Sequence, residues 1–441
     1  MTMRAYCDNN NVMNNTIKDI FTGNIKALLL ILLTSVILVI RDIAGIDVNQ
    51  YLLFILMASF FVILDRKGSI IYLAYVCGII TGVNAYILLV GLFSVLIKDI
   101  GYLRHSKSFL YLALFTIVWE GINDLFNYPL SRIDQILLYF GYILVFFYYL
   151  MINKNKVENK SVIFYYSIGL AVTLFISVGV LRNPIDMIFE GEGDVRAAMG
   201  FEEENGSTHF MANANNLAYF SIVLIALLIS LKKQIFSSNV IFITLLTIAV
   251  LAGLLSRSRT WIILMSALII VEFVSRKGKD KFKFICSCIV LVFFAFYFYS
   301  DFINTAIDGF SVRLKLDNVK TAGNRTVLMK EYFDYMSRHV EYMFTGTGAI
   351  YYKEITRCSN SCHNAFQQVY IAYGILGCLF FMSAMIKSIT DHHNSSTIIN
   401  FLPFIVALLF IQSIQLLNPF HLMIPLAVSS LAYKINNTSI I

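Results

Sequence analysis

Residues 69–97 read SIIYLAYVCGIITGVNAYILLVGLFSVLI, a stretch without a single charge. It is either one long tilted membrane helix or two short helices turning at Gly82-Val83-Asn84. Charge decides. Two helices place Lys98, Arg104 and Lys107 on the side of Asp65-Arg66-Lys67, whereas one helix places them opposite. Two helices are therefore expected, and the sides of all later segments follow from that choice.

The surrounding composition agrees. The chain has 441 residues, 58% of them hydrophobic and 14% charged, and a mean hydropathy of +0.72. A soluble domain carries about 25% charged residues, so too little polar surface is available to face water. Aromatic residues reach 15%, with only 2 Trp. About 20 apolar residues cross a bilayer, and apolar runs recur along the chain. The expected spans are 24–40, 51–64, 69–81, 85–97, 109–126, 133–151, 161–181, 215–231, 239–255, 259–275, 284–300, 363–386, 398–416 and 420–434. The last pair turns at Asn418-Pro419. The first run lacks a cleavage site of small residues and reads as a span. The expected fold is an all-α polytopic membrane protein of about 12–14 transmembrane helices, a single integral membrane domain over 1–441.

The basic connectors Lys154 to Lys160, Lys232-Lys233 and Arg276 to Lys281 then share one side with both termini. By the positive-inside rule that side is cytoplasmic. Two long hydrophilic loops, 182–214 and 301–362, face out. Of the 34 cations, the inner set holds 16 Lys and 4 Arg, the outer set 10 Arg and 4 Lys. The orientation rule does not ask for Arg outside. Guanidinium groups bind phosphate and carboxylate oxygens at two points, so the outer face suits a substrate bearing such groups. Pairing with the acidic loop residues Asp186, Glu190, Glu192, Asp194 and Glu202 to Glu204 is the plainer use. The net charge of +7 needs no nucleic acid to explain it.

Four outer stretches stand in order. Arg196-Ala-Ala-Met-Gly200-Phe201 is followed by Asn213-Ala-Asn215-Asn216 at a helix start. A tight turn reads Ser256-Arg257-Ser258-Arg259. The second loop holds Gly323-Asn-Arg325 and Gly346-Thr-Gly348. It closes on His363-Asn364-Ala-Phe366, leading to Gly374-Ile-Leu-Gly377. In this order they resemble the O-antigen polymerase and O-antigen ligase superfamily. Two departures stand out: the family often has Asn-Pro-Asn at 213–215, and a Trp where this chain has Leu328 and Met329. The resemblance implies a metal-independent glycosyltransferase of the bacterial inner membrane, acting at the periplasmic face without a cofactor. Its donor is an undecaprenyl-pyrophosphate-linked oligosaccharide. Membrane lipids and a chain-length regulator are the other expected partners. The polymerase reading comes first, the ligase second. A transporter of lipid-linked sugars is the rival from another class; it expects charges along the membrane interior and an internal repeat.

His363, at the junction of loop and helix, is the expected catalytic base or orienting group. Arg196, Arg257, Arg259 and Arg325 form the expected pyrophosphate clamp; snorkelling to headgroups is the alternative for the turn pair. Asn215 and Asn364 are expected to contact sugar hydroxyls, though capping is an equal use for an Asn at a helix start. Glu120 and Asp124 share a helix face. Glu120 lies in an apolar span, so it lines the acceptor route, pairs with an outer Arg, or is a hydrogen-bonded structural acid. Gly346 and Gly348 suit a turn that admits a ligand. Cys358 and Cys362 are a disulfide or two thiols, and no zinc set is convincing.

Overall fold

The computed structural model describes residues 24–81, 84–99, 107–127, 133–151, 156–180, 202–204, 207–209, 214–232, 234–236, 238–256, 258–276, 325–358, 362, 364–390, 398–413 and 423–435, with a few isolated positions between. The first helices are α1 (Ile25–Asp42), α2 (Gln50–Ile63), α3 (Arg66–Gly78), α4 (Asn84–Lys98), α5 (Lys107–Asn127), α6 (Ile133–Met151) and α7 (Lys156–Gly179). A two-stranded antiparallel ribbon, β1 (Glu202–Glu204) with β2 (Ser207–His209), lies in the first long loop and pairs Glu202 with His209. Then come α8 (Ala214–Leu231), α9 (Asn239–Leu255) and α10 (Arg259–Ser275). The second long loop is expected as loop but carries α11 (Arg325–Arg338), α12 (Val340–Thr345) and α13 (Tyr352–Thr356). The chain finishes with α14 (Ala365–Thr390), α15 (Ile398–Phe410) and α16 (Met423–Lys434). Of the expected span 284–300 only the isolated positions 286 and 289 are described.

Helices α2 and α3 start where side chains cap them. Asn49 Oδ1 accepts from Tyr51 N at 2.9 Å, and Asp65 Oδ1 accepts from Gly68 N at 2.8 Å. Such caps satisfy amides that the helix cannot. Residues 69–97 form two elements, as charge requires. Lys98 Nζ donates to Leu64 O at 2.6 Å and to Ser69 Oγ at 2.9 Å, so α4 returns antiparallel to the start of α3.

One end of the bundle gathers polar groups from many helices. Asn24 Nδ2 donates to Asp65 Oδ1 at 2.6 Å, and Arg66 bridges Asp99 at 2.7 Å and Glu158 at 3.1 Å. Lys387 reaches Ser108 Oγ at 2.7 Å and Lys434 reaches Leu150 O at 2.8 Å. Arg66 and Glu158, from two of the connectors that sequence assigns to one side, meet at this end. Arg41 lies at the opposite end and donates to Thr81 O at 2.9 Å.

Small residues let the helices close. A Cβ on Gly78 would lie 2.6 Å from Tyr166 O and Leu170 N, so α3 and α7 meet backbone to backbone, as membrane helices do at glycine. Thr173 Oγ1 donates to Gly78 O at 2.9 Å across that seam. Helix α8 is buried on nearly every face and α16 on all of them, so both are central. The outer surfaces are apolar: Val62 is 81% exposed, Leu52 63% and Ile263 68%. An apolar surface of that extent meets lipid. Three helices are long and apolar enough to cross a membrane, over Glu158–Gly179, Ala214–Leu231 and Ala365–Lys387, and five described apolar helices are shorter. The molecule is an all-α polytopic membrane protein.

Candidate functional site

The site is organised by a break in α14. Gly374 has φ 64 and ψ −167, a conformation open only to glycine. The break frees the carbonyls of Ile371 and Ala372 from their helical partners. Thr347 N and Gly348 N donate to them, each at 2.9 Å, and Thr347 Oγ1 adds a bond to Ile371 O at 3.1 Å. Gly346 has φ 74 and Gly348 φ 87. A Cβ on Gly346 would strike Ala372 O, and one on Gly374 would strike Phe344 O. The Gly-Thr-Gly segment therefore serves a close approach of backbone to a broken helix, where sequence suggested an approach to a ligand.

Helix α5 holds the same segment from the other side. Glu120 is fully buried. Its carboxylate accepts from Ala349 N at 2.8 Å and from Ile350 N at 3.1 Å. Trp119 Nε1 donates to Thr345 O at 2.8 Å, one residue before the segment. The acid expected on the acceptor route thus binds backbone amides of the second loop, the structural use that sequence weighed beside it.

Beyond the break, the first turns of α14 pack against the helices of the second loop, and this assembly forms a cap. Tyr332, Met336, Tyr352, Cys362 and Ile371 make its core, with Tyr335, Tyr342, Cys358 and Tyr370 around them. Gln367 Nε2 donates to Met329 O at 2.8 Å, and the Phe333 and Tyr370 rings lie 6.1 Å apart. Both pairs advance together along the two helices, so α11 and α14 run in the same direction with their starts side by side. Gln368 Nε2 ties α14 to the Tyr352 hydroxyl at 3.1 Å.

Asn364 caps α14. Its Oδ1 accepts from Gln367 N at 3.0 Å and its carbonyl accepts from Gln368 N at 2.9 Å. The oxygen expected to face a sugar is thereby engaged by the helix. Cys358 and Cys362 are free thiols. Cys362 Sγ donates to Gln367 Oε1 at 3.0 Å, and burial pushes its thiol up to about 12. Gln367 therefore joins Cys362, Asn364 and α11. The sequence reading passed over Gln367, Gln368 and Trp119. Two adjacent amides in an apolar span, and one of only 2 Trp in the chain, were the available signals.

A second group lies at the start of α8. Asn215 Oδ1 accepts from Ser258 Oγ at 3.2 Å, which ties that start to the turn between α9 and α10. Beneath it, Trp261 Nε1 donates to Ser221 Oγ at 2.8 Å, Ser221 Oγ donates to Ala249 O at 2.6 Å, and the indole lies against Gly253. Arg259 opens α10 on this platform, half-buried. Arg325 opens α11. Arg196, Arg257 and His363 lie outside the described residues, as does the side chain of Asp124. Among the described residues no three His, Cys, Asp or Glu gather as a metal site.

Residues 242–382 match the family described as O-antigen ligase. The matched stretch runs from α9 into α14 and includes Arg257, Arg259, Arg325, the Gly-Thr-Gly segment, His363 and Gly374. Glu120, Arg196 and Asn215 precede it. No curated protein matches the chain.

Proposed function

From the match of residues 242–382 to the O-antigen ligase family, we propose that the chain is an O-antigen polymerase of the bacterial inner membrane. It joins undecaprenyl-pyrophosphate-linked repeat units at the periplasmic face, with both termini in the cytoplasm. The observation that carries this reading is the side-by-side start of α11 and α14, tied by Gln367 to Met329 O at 2.8 Å. Arg325 opens one helix, and His363 precedes the cap of the other by one residue. Two adjacent helix starts, each the positive end of a helix dipole, plus a guanidinium, favour an anion.

In the reaction, an acceptor hydroxyl gives its proton to His363 as its oxygen bonds the anomeric carbon of the donor. The bond from that carbon to the lipid pyrophosphate breaks, and the electron pair leaves with the phosphate. Arg196, Arg257, Arg259 and Arg325 stabilise the departing charge without a metal. Glu120 acts as a positioning residue by fixing the second loop. Asn215 and Asn364 fix the turn and the helix start that carry the charged groups.

A ligase moving the finished glycan to the lipid A core is the second reading, favoured by the description of the matching family. Replacement of His363 by Ala in the native host tests both. A polymerase defect leaves the core capped with single repeats, a ligase defect leaves it bare, and unchanged long-chain glycan overturns the role of His363. Glycan extension by the purified protein in excess chelator checks metal independence.

A further inference from the structure

One group on the cap has no part in the chemistry above. Tyr335, His339 and Tyr342 form a three-ring cluster where α11 passes into α12. The Tyr335 and His339 rings stack at 4.4 Å and 28°, Tyr335 and Tyr342 at 6.2 Å and 19°, and His339 and Tyr342 lie 6.0 Å apart. The three residues are half-buried. His339 Nδ1 lies 3.2 Å from Glu341 Oε1, and the Glu341 side chain is 66% exposed.

Arg357 stands beside this cluster, close enough for its charge to act on the Tyr335 hydroxyl. Its backbone is left-handed, with φ 55 and ψ 25 at the end of α13. Among the described residues it is the one non-glycine with positive φ. Glycine or asparagine commonly ends a helix in this way. An arginine kept in a conformation that strains it points to a use for its side chain.

A pyranose ring offers a face of C–H groups and a rim of hydroxyls. Aromatic rings take the face, and carboxylate, guanidinium and imidazole groups take the rim. We propose that Tyr335, His339 and Tyr342, rimmed by Glu341 and Arg357, form a glycan-binding subsite for the sugar chain of the substrate. The proposal rests on the glycosyl-transfer reading for the identity of that chain. Ten residues of α11 separate Tyr335 from Arg325, about 15 Å along the helix. The subsite therefore takes a sugar remote from the reacting bond. The six-residue path from Arg357 to His363 joins it to the reacting end a second time.

The test uses the full-length protein in lipid nanodiscs. The probe is the host's own O polysaccharide, released by mild acid and labelled at its reducing end for fluorescence anisotropy. Tyr335→Ala combined with His339→Ala is expected to weaken binding at least tenfold and to shorten the glycan chains made in the host. Arg357→Gly relieves the backbone, so it should raise the thermal midpoint while still weakening binding, which a purely structural residue would not do. If the double variant fails to fold, Arg357→Gly decides. Wild-type binding and chain length in Arg357→Gly and in a folded double variant overturn the subsite and leave the transfer reading intact. Loss of binding in these variants of a protein that extends no glycan supports the subsite and removes the transfer reading.

Discussion

At Ala349 and Ile350 two consecutive amides point at one carboxylate, that of Glu120. Glu120→Ala strips both of that acceptor inside a buried site. Each orphaned amide costs about 1–3 kcal/mol, so the purified variant should melt at a clearly lower temperature and lose glycan synthesis. Glu120→Gln keeps one acceptor oxygen and should fall between the two. A thermal midpoint equal to wild type for Glu120→Ala would show that the carboxylate does not hold the loop. The sequence marks Glu120 as an expensive group needing a partner. It does not name the partner, because backbone amides 229 positions away carry no signature in a string of residues. The two outer cysteines allow a second test at this scale. Burial pushes Cys362 up to about 12, well above neutral pH, and Cys358 is raised as well but less buried. Since the thiolate is the nucleophile, alkylation at pH 8 should modify Cys358 first, with Cys362 reacting only as pH rises or the cap opens. Mass spectrometry of trapped peptides reads the order.

The break in α14 is an element-scale device built from two glycines that approach each other's neighbours. Gly346 and Gly374 both adopt backbone conformations essentially restricted to glycine. Alanine at either position meets a carbonyl of the opposite strand of chain. We expect Gly346→Ala and Gly374→Ala each to lower the yield of folded protein in the membrane, whereas Gly121→Ala, with open space around it, should not. Equal yields for all three, read by size-exclusion chromatography in detergent, would contradict the packing described. The positions of these glycines were legible as motifs. Their use was not, since a turn that faces a ligand and one that faces a helix require the same residues. Asn364 shows the same limit: capping and sugar contact both ask for a short carboxamide at a helix start.

For the whole molecule, sequence reads the element order well because apolar runs and charged breaks alternate at membrane spacing. The hairpin of α3 and α4 follows from charge, and Lys98 meeting Leu64 and Ser69 is its physical counterpart. The helices of the cap were not legible, because α11 to α13 are short and polar enough to resemble loop. The orientation is open to a direct measurement. In a cysteine-free background, Glu331→Cys should react with a membrane-impermeant maleimide added from the periplasm, and Lys232→Cys only after the inner membrane is opened. The reverse pattern would invert the topology. Finally, the amides of Thr347 and Gly348 are bonded to the carbonyls of Ile371 and Ala372, and those of Ala349 and Ile350 to the Glu120 carboxylate, with Oε1 shared between them. Such a segment has the sequence of a loop but the protection of a strand. In deuterium-exchange experiments it should retain its hydrogens on the timescale of the membrane helices rather than that of a connecting loop.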